Sequence, residues 1–440
     1  MCVAVLFTFN WKRDSMTDLL TISLEELVSS LSSLMDHTIA PLRDHHRRTA
    51  IAAFHIADQL DLTWQQRHDL IFASAIHDIG AFSVMEQQVL HDLSFESQYI
   101  NLHARAAYLL LKEFSYFDTI AEILRYHHAY LNNSTELDRT LIPYESLIMQ
   151  VADHAAVLSV DSLNILDASA AIINEVNQQS GIMFVPEIVE AFNRAAEKEN
   201  FWLDIKNLPL SSLFKDRLKL DNLHIKSSEL MGLVNLFRRI IDFRSEVTST
   251  HTAGVAAVSA ELARFHGREE ETIRKIKIAG YLHDIGKLIV PSEILEKPSK
   301  LTPQEFNIIR THTYFTYEFL NGMTIFKDIR DWASQHHERL NGRGYPFHEN
   351  DNTLPFESRA IAVADVFTAL TEDRPYRKGV TGKDAMLVMD VDVQKGELDG
   401  VLVALLGAHL DQINQARVIA QDASQKEYQV FVMELTKDQF

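Results

Sequence analysis

His283-Asp-Ile-Gly-Lys287 closes an apolar run, Ile276 to Leu282, that reads as a helix. Adjacent residues on a helix point about 100° apart, given roughly 3.6 residues per turn. An imidazole and a carboxylate placed this way grip one ion from two directions or reach two ions at once. Gly286 is read as the point where the chain turns. Lys287 then brings a cation beside whatever His283 and Asp284 hold.

The same word stands earlier in the chain, Ala75-Ile-His-Asp-Ile-Gly80 against Tyr281-Leu-His-Asp-Ile-Gly286. Histidine and aspartate repeat around both copies. The later set is His251, His283-Asp284 (His283 is 32 after His251), His312, His336-His337 (24 after His312) and Asp365. The earlier set is His45, His77-Asp78 (again 32), His103, His127-His128 (again 24) and Asp153. Met149-Gln-Val-Ala-Asp153 echoes Ile361-Ala-Val-Ala-Asp365, and the two remaining gaps are each three residues longer in the second half. With 20 His in 440 residues, accident does not give this agreement. The chain therefore reads as two copies of one helical module, 17–205 and 225–440, joined by a linker at 206–224 that carries Pro209 and paired serines.

The fold class that follows is all-α, two tandem helical bundles. Leu24, Leu27, Leu31, Leu34 and Met35 recur at three and four spacing, the mark of a half-buried helix. Thr302-Pro-Gln-Glu305 gives a cap, a first-turn proline and an acid in helix-starting order. Strand signals are scarce, but Tyr428 to Glu434 alternates and is read as a short C-terminal strand.

Composition narrows the function. The chain is 46% apolar and 23% charged, as globular proteins are. A formal charge of −19 argues against a duplex nucleic-acid binder, which needs a basic face. An anionic substrate has to be drawn in locally, by metal ions and a few Arg or Lys. Cys2 is the single cysteine, so no intrachain disulfide forms, which fits a reducing, cytoplasmic setting. No run approaches the ~20 apolar residues of a membrane span, and Met1 to Phe9 is too short for one or for an export signal.

His and Asp donors spread over several helices suit a metal site inside a bundle. Mixed imidazole and carboxylate suits Fe or Mn, with Ni as the next choice, better than Ca or Mg. Six or seven donors exceed the needs of one tetrahedral ion, so two ions bridged by Asp284 are expected. Two ions ~3.5–4 Å apart can hold a hydroxide and the non-bridging oxygens of a phosphodiester.

The second module resembles the HD-GYP phosphodiesterases of the HD superfamily. The motifs are His283-Asp-Ile-Gly-Lys287, Lys300-Leu-Thr-Pro-Gln-Glu-Phe306, His336-His-Glu-Arg-Leu-Asn-Gly-Arg-Gly-Tyr-Pro346, Asp365-Val-Phe-Thr-Ala-Leu370 and Arg374-Pro-Tyr-Arg377. The resemblance implies hydrolysis of a cyclic dinucleotide to a linear 5′-phosphorylated dinucleotide by a metal-bridging hydroxide. It carries the metal ligands onto His251, His283, Asp284, His312, His336, His337 and Asp365. Some members hold a third ion through a Glu four residues before the first His and an acid three after the last Asp. Val247 and Thr368 stand there, and Glu246 is one residue off register, so a two-metal centre is expected.

Lys287 is assigned to a phosphate oxygen or the leaving 3′ oxygen, and Tyr345 to a hydrogen bond on phosphate. Gly342 and Gly344 are expected to bring backbone close to the ligand. Arg374 and Arg377 are candidate phosphate forks, and Glu338 an orienting group for a histidine or for the glycine-rich loop. Thr313 and Thr316 are read as packing residues.

The tandem layout resembles Vibrio-type enzymes acting on 3′3′-cGAMP, so that substrate is favoured and c-di-GMP comes next. The rival is a non-hydrolytic receptor that passes the signal to a partner. Intact Lys287, Gly344, Tyr345 and Pro346 argue against it.

The first module keeps a second candidate metal set, His45, His77, Asp78, His103, His127, His128 and Asp153. His46 is the alternative to His45, and spacing prefers His45. Ala81 replaces the lysine, and His127-His-Ala-Tyr-Leu-Asn-Asn133 replaces the Gly-Tyr-Pro loop. This half resembles a plain HD domain. It is read as a 5′-nucleotidase, as a regulator that senses a ligand, or as an inherited scaffold. Oligomeric state and base preference are left open by the sequence.

Overall fold

A computed structural model describes residues 22–36, 44–81, 100–129, 131, 141–160, 164–219, 224–225, 229–244, 249–373 and 377–437. The expectations placed on Met1 to Phe9, Glu246, Val247, Arg374 and most of the loop after Ala129 lie outside these residues.

The first module is built from α1 (Leu24–Asp36), α2 (His45–Ala57), α3 (Trp64–Ala75), α4 (Ile100–Leu111), α5 (Asp118–Arg125) and α6 (Tyr144–Leu158). It is extended by α7 (Ile165–Gln178), α8 (Pro186–Ala196) and α9 (Glu199–Asn207). The second repeats the first six as α10 (Leu230–Asp242), α11 (His251–Phe265), α12 (Glu270–Leu282), α13 (Pro303–Asn321), α14 (Lys327–Ser334) and α15 (Phe356–Thr371). Three further helices follow, α16 (Gly382–Gln394), α17 (Gly400–Ala408) and α18 (Leu410–Thr436). The all-α expectation holds. Among the described residues the strand content is one antiparallel pair, β1 (Ile22–Ser23) with β2 (His224–Ile225), and one isolated bridge, Ser180 with Phe184.

Local chemistry explains the helix starts. Thr302 accepts from Glu305 N–H at 3.2 Å, and the Glu305 carboxylate accepts from Thr302 N–H at 2.7 Å, with Pro303 in the first turn. Thr63 and Gln66 cap α3 the same way. Two orphan N–H groups at the start of each of these two helices are thus paired reciprocally. In α1, Leu24, Leu27, Leu31 and Leu34 are buried, as their spacing predicts.

In each module one helix forms the spine. α2 packs on α3 and α6, and α11 on α12 and α15. The segment after α9 is helical too. It makes one turn at Leu210–Ser212 and a π-helical stretch at Leu213–Leu218, burying Leu210, Leu213 and Phe214. Phe214 stacks on Phe72, ring centres 4.8 Å apart, so this part of the connection is docked on the first module.

The first helix of each module packs on its own module and also reaches the other. α1 packs against α13 of the second module, and α10 packs against α4 of the first. Both α13 and α4 carry a candidate metal ligand, His312 and His103. Thr324 donates to Glu26 at 3.1 Å, Lys112 to Glu434 at 3.0 Å, and Arg239 pairs with Glu113 across this contact.

The C-terminal strand is a correction: Tyr428 to Glu434 lies inside α18. Phe431 is buried, Tyr428, Val432 and Leu435 are packed against the core, and Val430 and Met433 are exposed. Those inward positions fall at i, i+3, i+4 and i+7, a helical stripe that the apolar alternation of the same residues masks.

Candidate metal centres

His283 ends α12 as its C-cap, and Asp284 begins a 3₁₀ turn, Ile285–Ile289, that carries Lys287. Gly286 has an ordinary negative φ, since it is not among the positive-φ residues. Its role is different from the turn expected. A Cβ there would lie 2.0 Å from the His312 carbonyl and 2.7 Å from Thr316 N. The missing side chain lets α13 press directly onto the His-Asp turn. Gly80 does the same against the His103 carbonyl in the first module, where a Cβ would lie 2.1 Å away.

The second-module residues converge. His283 Nε2 is 3.2 Å and His251 Nε2 4.0 Å from Asp284 Oδ2. His312 Nε2 is 3.5 Å and His336 Nε2 3.8 Å from the other oxygen, Oδ1. His312 and His336 nitrogens approach to 3.2 Å. Asp365 Oδ1 is 3.1 Å from His251 Nε2, and its Oδ2 is 3.7 Å from His337 Nδ1. One carboxylate thus faces two imidazole groups, one on each oxygen.

The rings are fixed from behind. Nδ1–H of His283, His312 and His336 donates to the carbonyls of Gly280, Ile309 and Ala333 at 2.7, 2.5 and 2.7 Å. This leaves each Nε2 lone pair pointing inward, the form that donates to a metal. Burial pushes His312 down to about 4 and His337 to about 3, so both are neutral at pH 7. Burial opposes charge on His251 as well, but Glu372 and Asp365 carry it up to about 10. Burial likewise works against ionised Asp284, yet His283 and Lys287 hold it well below the usual carboxylate range.

His283 Nε2 and Asp284 Oδ1 are buried without a hydrogen-bond partner in the protein. Buried polar atoms of this kind are costly unless something meets them. Facing lone pairs and carboxylate oxygens fit a divalent cation. The donor set therefore fits a metal site.

Around the cluster, Lys287 donates to Asp284 Oδ2 at 2.6 Å. Tyr345 sits beside His337, ring centres 5.0 Å apart, with the Arg310 guanidinium 4.9 Å over its ring. Burial and Asp365 keep the Tyr345 hydroxyl protonated, a donor at neutral pH. Glu338 accepts from Phe347 N–H at 2.6 Å and His348 N–H at 3.1 Å, so it ties down the glycine-rich loop. Gly344 is pressed against the Glu338 and Arg339 backbone, where a Cβ would lie 2.4 Å away, and Gly342 takes φ 73°. Both glycines are thus explained by the loop's own path. Arg377 is exposed and donates to the Ala369 carbonyl at the end of α15.

Three contributors escaped the sequence reading. Glu372 accepts from His251 Nδ1 at 3.1 Å and from Gln421 of α18 at 3.3 Å. Thr316, read as packing, donates to the His283 carbonyl at 3.0 Å and accepts from Gly286 N–H at 3.1 Å. Arg244 holds the turn after Lys287 through the carbonyls of Lys287, Leu288 and Val290. None has a spacing signal, because each acts across helices. Thr368 is buried, and it brings no carboxylate to the centre.

The first module assembles its own cluster. His45 Nε2 is 3.1 Å from His77 Nε2 and 3.0 Å from Asp153 Oδ1. His77 Nε2 is 3.3 Å from Asp78 Oδ2, and His103 Nε2 is 3.5 Å from Asp78 Oδ1. His103 Nε2 meets His127 Nε2 at 3.0 Å and His128 Nε2 at 3.1 Å. The donors of His103, His127 and His128 lie within 4.8 Å of one another, as do those of His45, His77 and Asp78. No helix among the described residues is long and apolar enough to cross a membrane.

The HD domain family matches residues 42–158 and, in a second form, 235–402. The 3′3′-cGAMP-specific phosphodiesterase 1 of Vibrio cholerae serotype O1 is 28% identical over 427 residues, covering 90% of this chain and 94% of its own. Phosphodiesterase 3 of that organism, also named 3′3′-cGAMP-specific, is 27% identical over 84% of this chain and 91% of its own. The cyclic di-GMP phosphodiesterase response regulator RpfG of Xanthomonas campestris is 39% identical, over 36% of this chain and 42% of its own. A crystal structure of a cyclic GMP-AMP phosphodiesterase from V. cholerae superposes with a TM-score of 0.62 at 24% identity, covering 89% of this chain and 98% of that one. That superposition speaks for the fold.

Proposed function

This chain is a tandem HD-domain protein homologous over most of its length to cyclic-dinucleotide phosphodiesterases, and from that premise we propose that its second module opens a cyclic dinucleotide, 3′3′-cGAMP before c-di-GMP. The observation that carries the reading is Asp284, whose two oxygens face separate imidazole groups beside Lys287.

When bound by His251, His283, Asp284, His312, His336, His337 and Asp365, two divalent ions would supply activated water and charge for the phosphodiester. Lys287 Nζ stands on Asp284 at the rim, where it can turn to a phosphate oxygen or protonate the departing 3′ oxygen. Tyr345, neutral and beside His337, donates to a phosphate oxygen. Breaking the P–O3′ bond leaves a linear dinucleotide with a 5′-phosphate. The preference for cGAMP rests on extent of likeness: two relatives named for cGAMP match over 90% and 84% of this chain, and RpfG, named for cyclic di-GMP, matches over 36% of it.

The protein purified without oxygen and loaded with Fe(II) or Mn(II) is expected to linearise cGAMP faster than c-di-GMP, read by chromatography of the digests. Turnover of neither would favour a receptor. We assign the first module to phosphomonoester hydrolysis, because it keeps a full donor set, buried except for half-buried Asp153, while Ala81 stands in place of a leaving-group lysine. Asp78→Ala is expected to stop phosphate release from the linear product and leave ring opening intact. A change in ring-opening rate with phosphate release unaffected would instead make this module a regulator.

A further inference from the structure

The two modules differ at one position beside the metal cluster. His46 follows His45, and its counterpart in the second module is Thr252, which follows His251. Each faces an acid at the end of a first helix, Asp36 of α1 or Asp242 of α10, ten residues earlier. In the second module the Thr252 hydroxyl donates to Asp242 at 2.7 Å, and Arg238 pairs with the same carboxylate at 3.3 Å. There the acid is held by a hydroxyl and a guanidinium instead of by an imidazole.

In the first module Asp36 accepts from His46 twice, from the backbone N–H at 3.0 Å and from Nδ1–H at 2.7 Å. Nδ1 is thereby fixed as a donor to Asp36, which turns Nε2 toward the cluster. This Nε2 is buried and has no hydrogen-bond partner. It faces Asp78 Oδ2 at 3.6 Å. The His46 ring centre is 5.0 Å from that of His77 and 5.5 Å from that of His45. A buried imidazole nitrogen and a carboxylate oxygen 3.6 Å apart can both bond one cation placed between them.

We propose that His46, oriented by Asp36, is an additional ligand for a divalent transition-metal ion beside Asp78 Oδ2 in the first module. That ion would draw on His45, His46, His77, Asp78 and Asp153. Its counterpart in the second module has His251, His283, Asp284 and Asp365, with Lys287 on the Asp284 oxygen that His46's equivalent would have approached. An ion with an extra protein donor keeps fewer places for water or phosphate and leaves more slowly. A carboxylate–histidine–metal relay of this kind is the usual way a protein fixes a ligand imidazole. The inference rests on the reading of the first cluster as a metal site.

The test is metal binding by the full chain. Cobalt(II) is loaded without oxygen, the protein is challenged with a graded chelator, and retained metal and the visible spectrum are read. Ions missing from Asp78→Ala belong to the first module. His46→Thr restores the pairing that Thr252 makes with Asp242, and His46→Gln keeps the side chain's bulk, so one or the other is expected to fold. In either folded variant the first-module ion should be lost at roughly 10-fold lower chelator or less, with an altered spectrum. Unchanged retention and spectrum in a folded variant would overturn the inference while leaving the metal reading standing, with His46 only a structural partner of Asp36. Cobalt content equal in parent and Asp78→Ala would overturn both.

Discussion

Asp284→Ala is expected to abolish ring opening, with a loss on the order of 10³-fold or more in kcat. This carboxylate joins the two halves of the second-module cluster. His283 and His251 gather on Oδ2, and His312 and His336 on Oδ1. Without it, two cations would have only Asp365 left among the site's carboxylates to offset their repulsion. Metal content should therefore fall along with activity, and Lys287 loses its partner at the rim. Asp284→Asn should fail similarly, since it keeps the shape and loses the charge. The measurement is metal per chain together with digestion of cGAMP, with the circular dichroism spectrum as the check on folding. Ring opening at the parental rate would mean that the ions, or the reaction, lie elsewhere.

The second large effect is expected at Gly286→Ala. The added methyl carbon would meet the His312 carbonyl at 2.0 Å and Thr316 N at 2.7 Å, both backbone atoms of α13. Neither can swing aside as a side chain does, so the helix must withdraw. Overpacking of this sort costs about 3 kcal/mol. The withdrawal also draws His312 off Asp284 Oδ1 and breaks the Thr316 bridge between His283 and Gly286. Denaturant unfolding should show the lost stability, and metal analysis the lost ion. A variant with parental stability and metal content would show that α13 does not need this contact. Gly80→Ala should act alike on α4 and His103, because the same approach recurs there.

Several features were legible because they are local or periodic. Thr302, Pro303 and Glu305 dictate a helix start whatever surrounds them, and the cap forms as read. Leu24, Leu27, Leu31 and Leu34 need only the helical period to share a face. The ligand clusters were legible for another reason. A metal demands His and Asp at positions that a fixed set of helices can bring together, so a duplicated module preserves their spacing and displays it twice. Tyr428 to Glu434 was misread because seven residues of alternating apolar character satisfy both periods. Only packing of Phe431 and Tyr428 on Phe243 decides for the helix.

What the sequence determined by itself is the donor inventory and its division between two helical modules, since these follow from residue type and spacing along single elements. What the tertiary structure alone decided is which groups meet from different elements. Glu372, the residue that caps the end of α15, finds His251 only because α15 packs on α11. His46 aims at Asp78 only because Asp36, from another helix, holds its far nitrogen. α1 meets α13 of the other module while packing on α2 and α3 of its own. Hydrogen bonds and cation coordination depend on distances of a few ångströms between chain segments, and no periodicity along one segment encodes them.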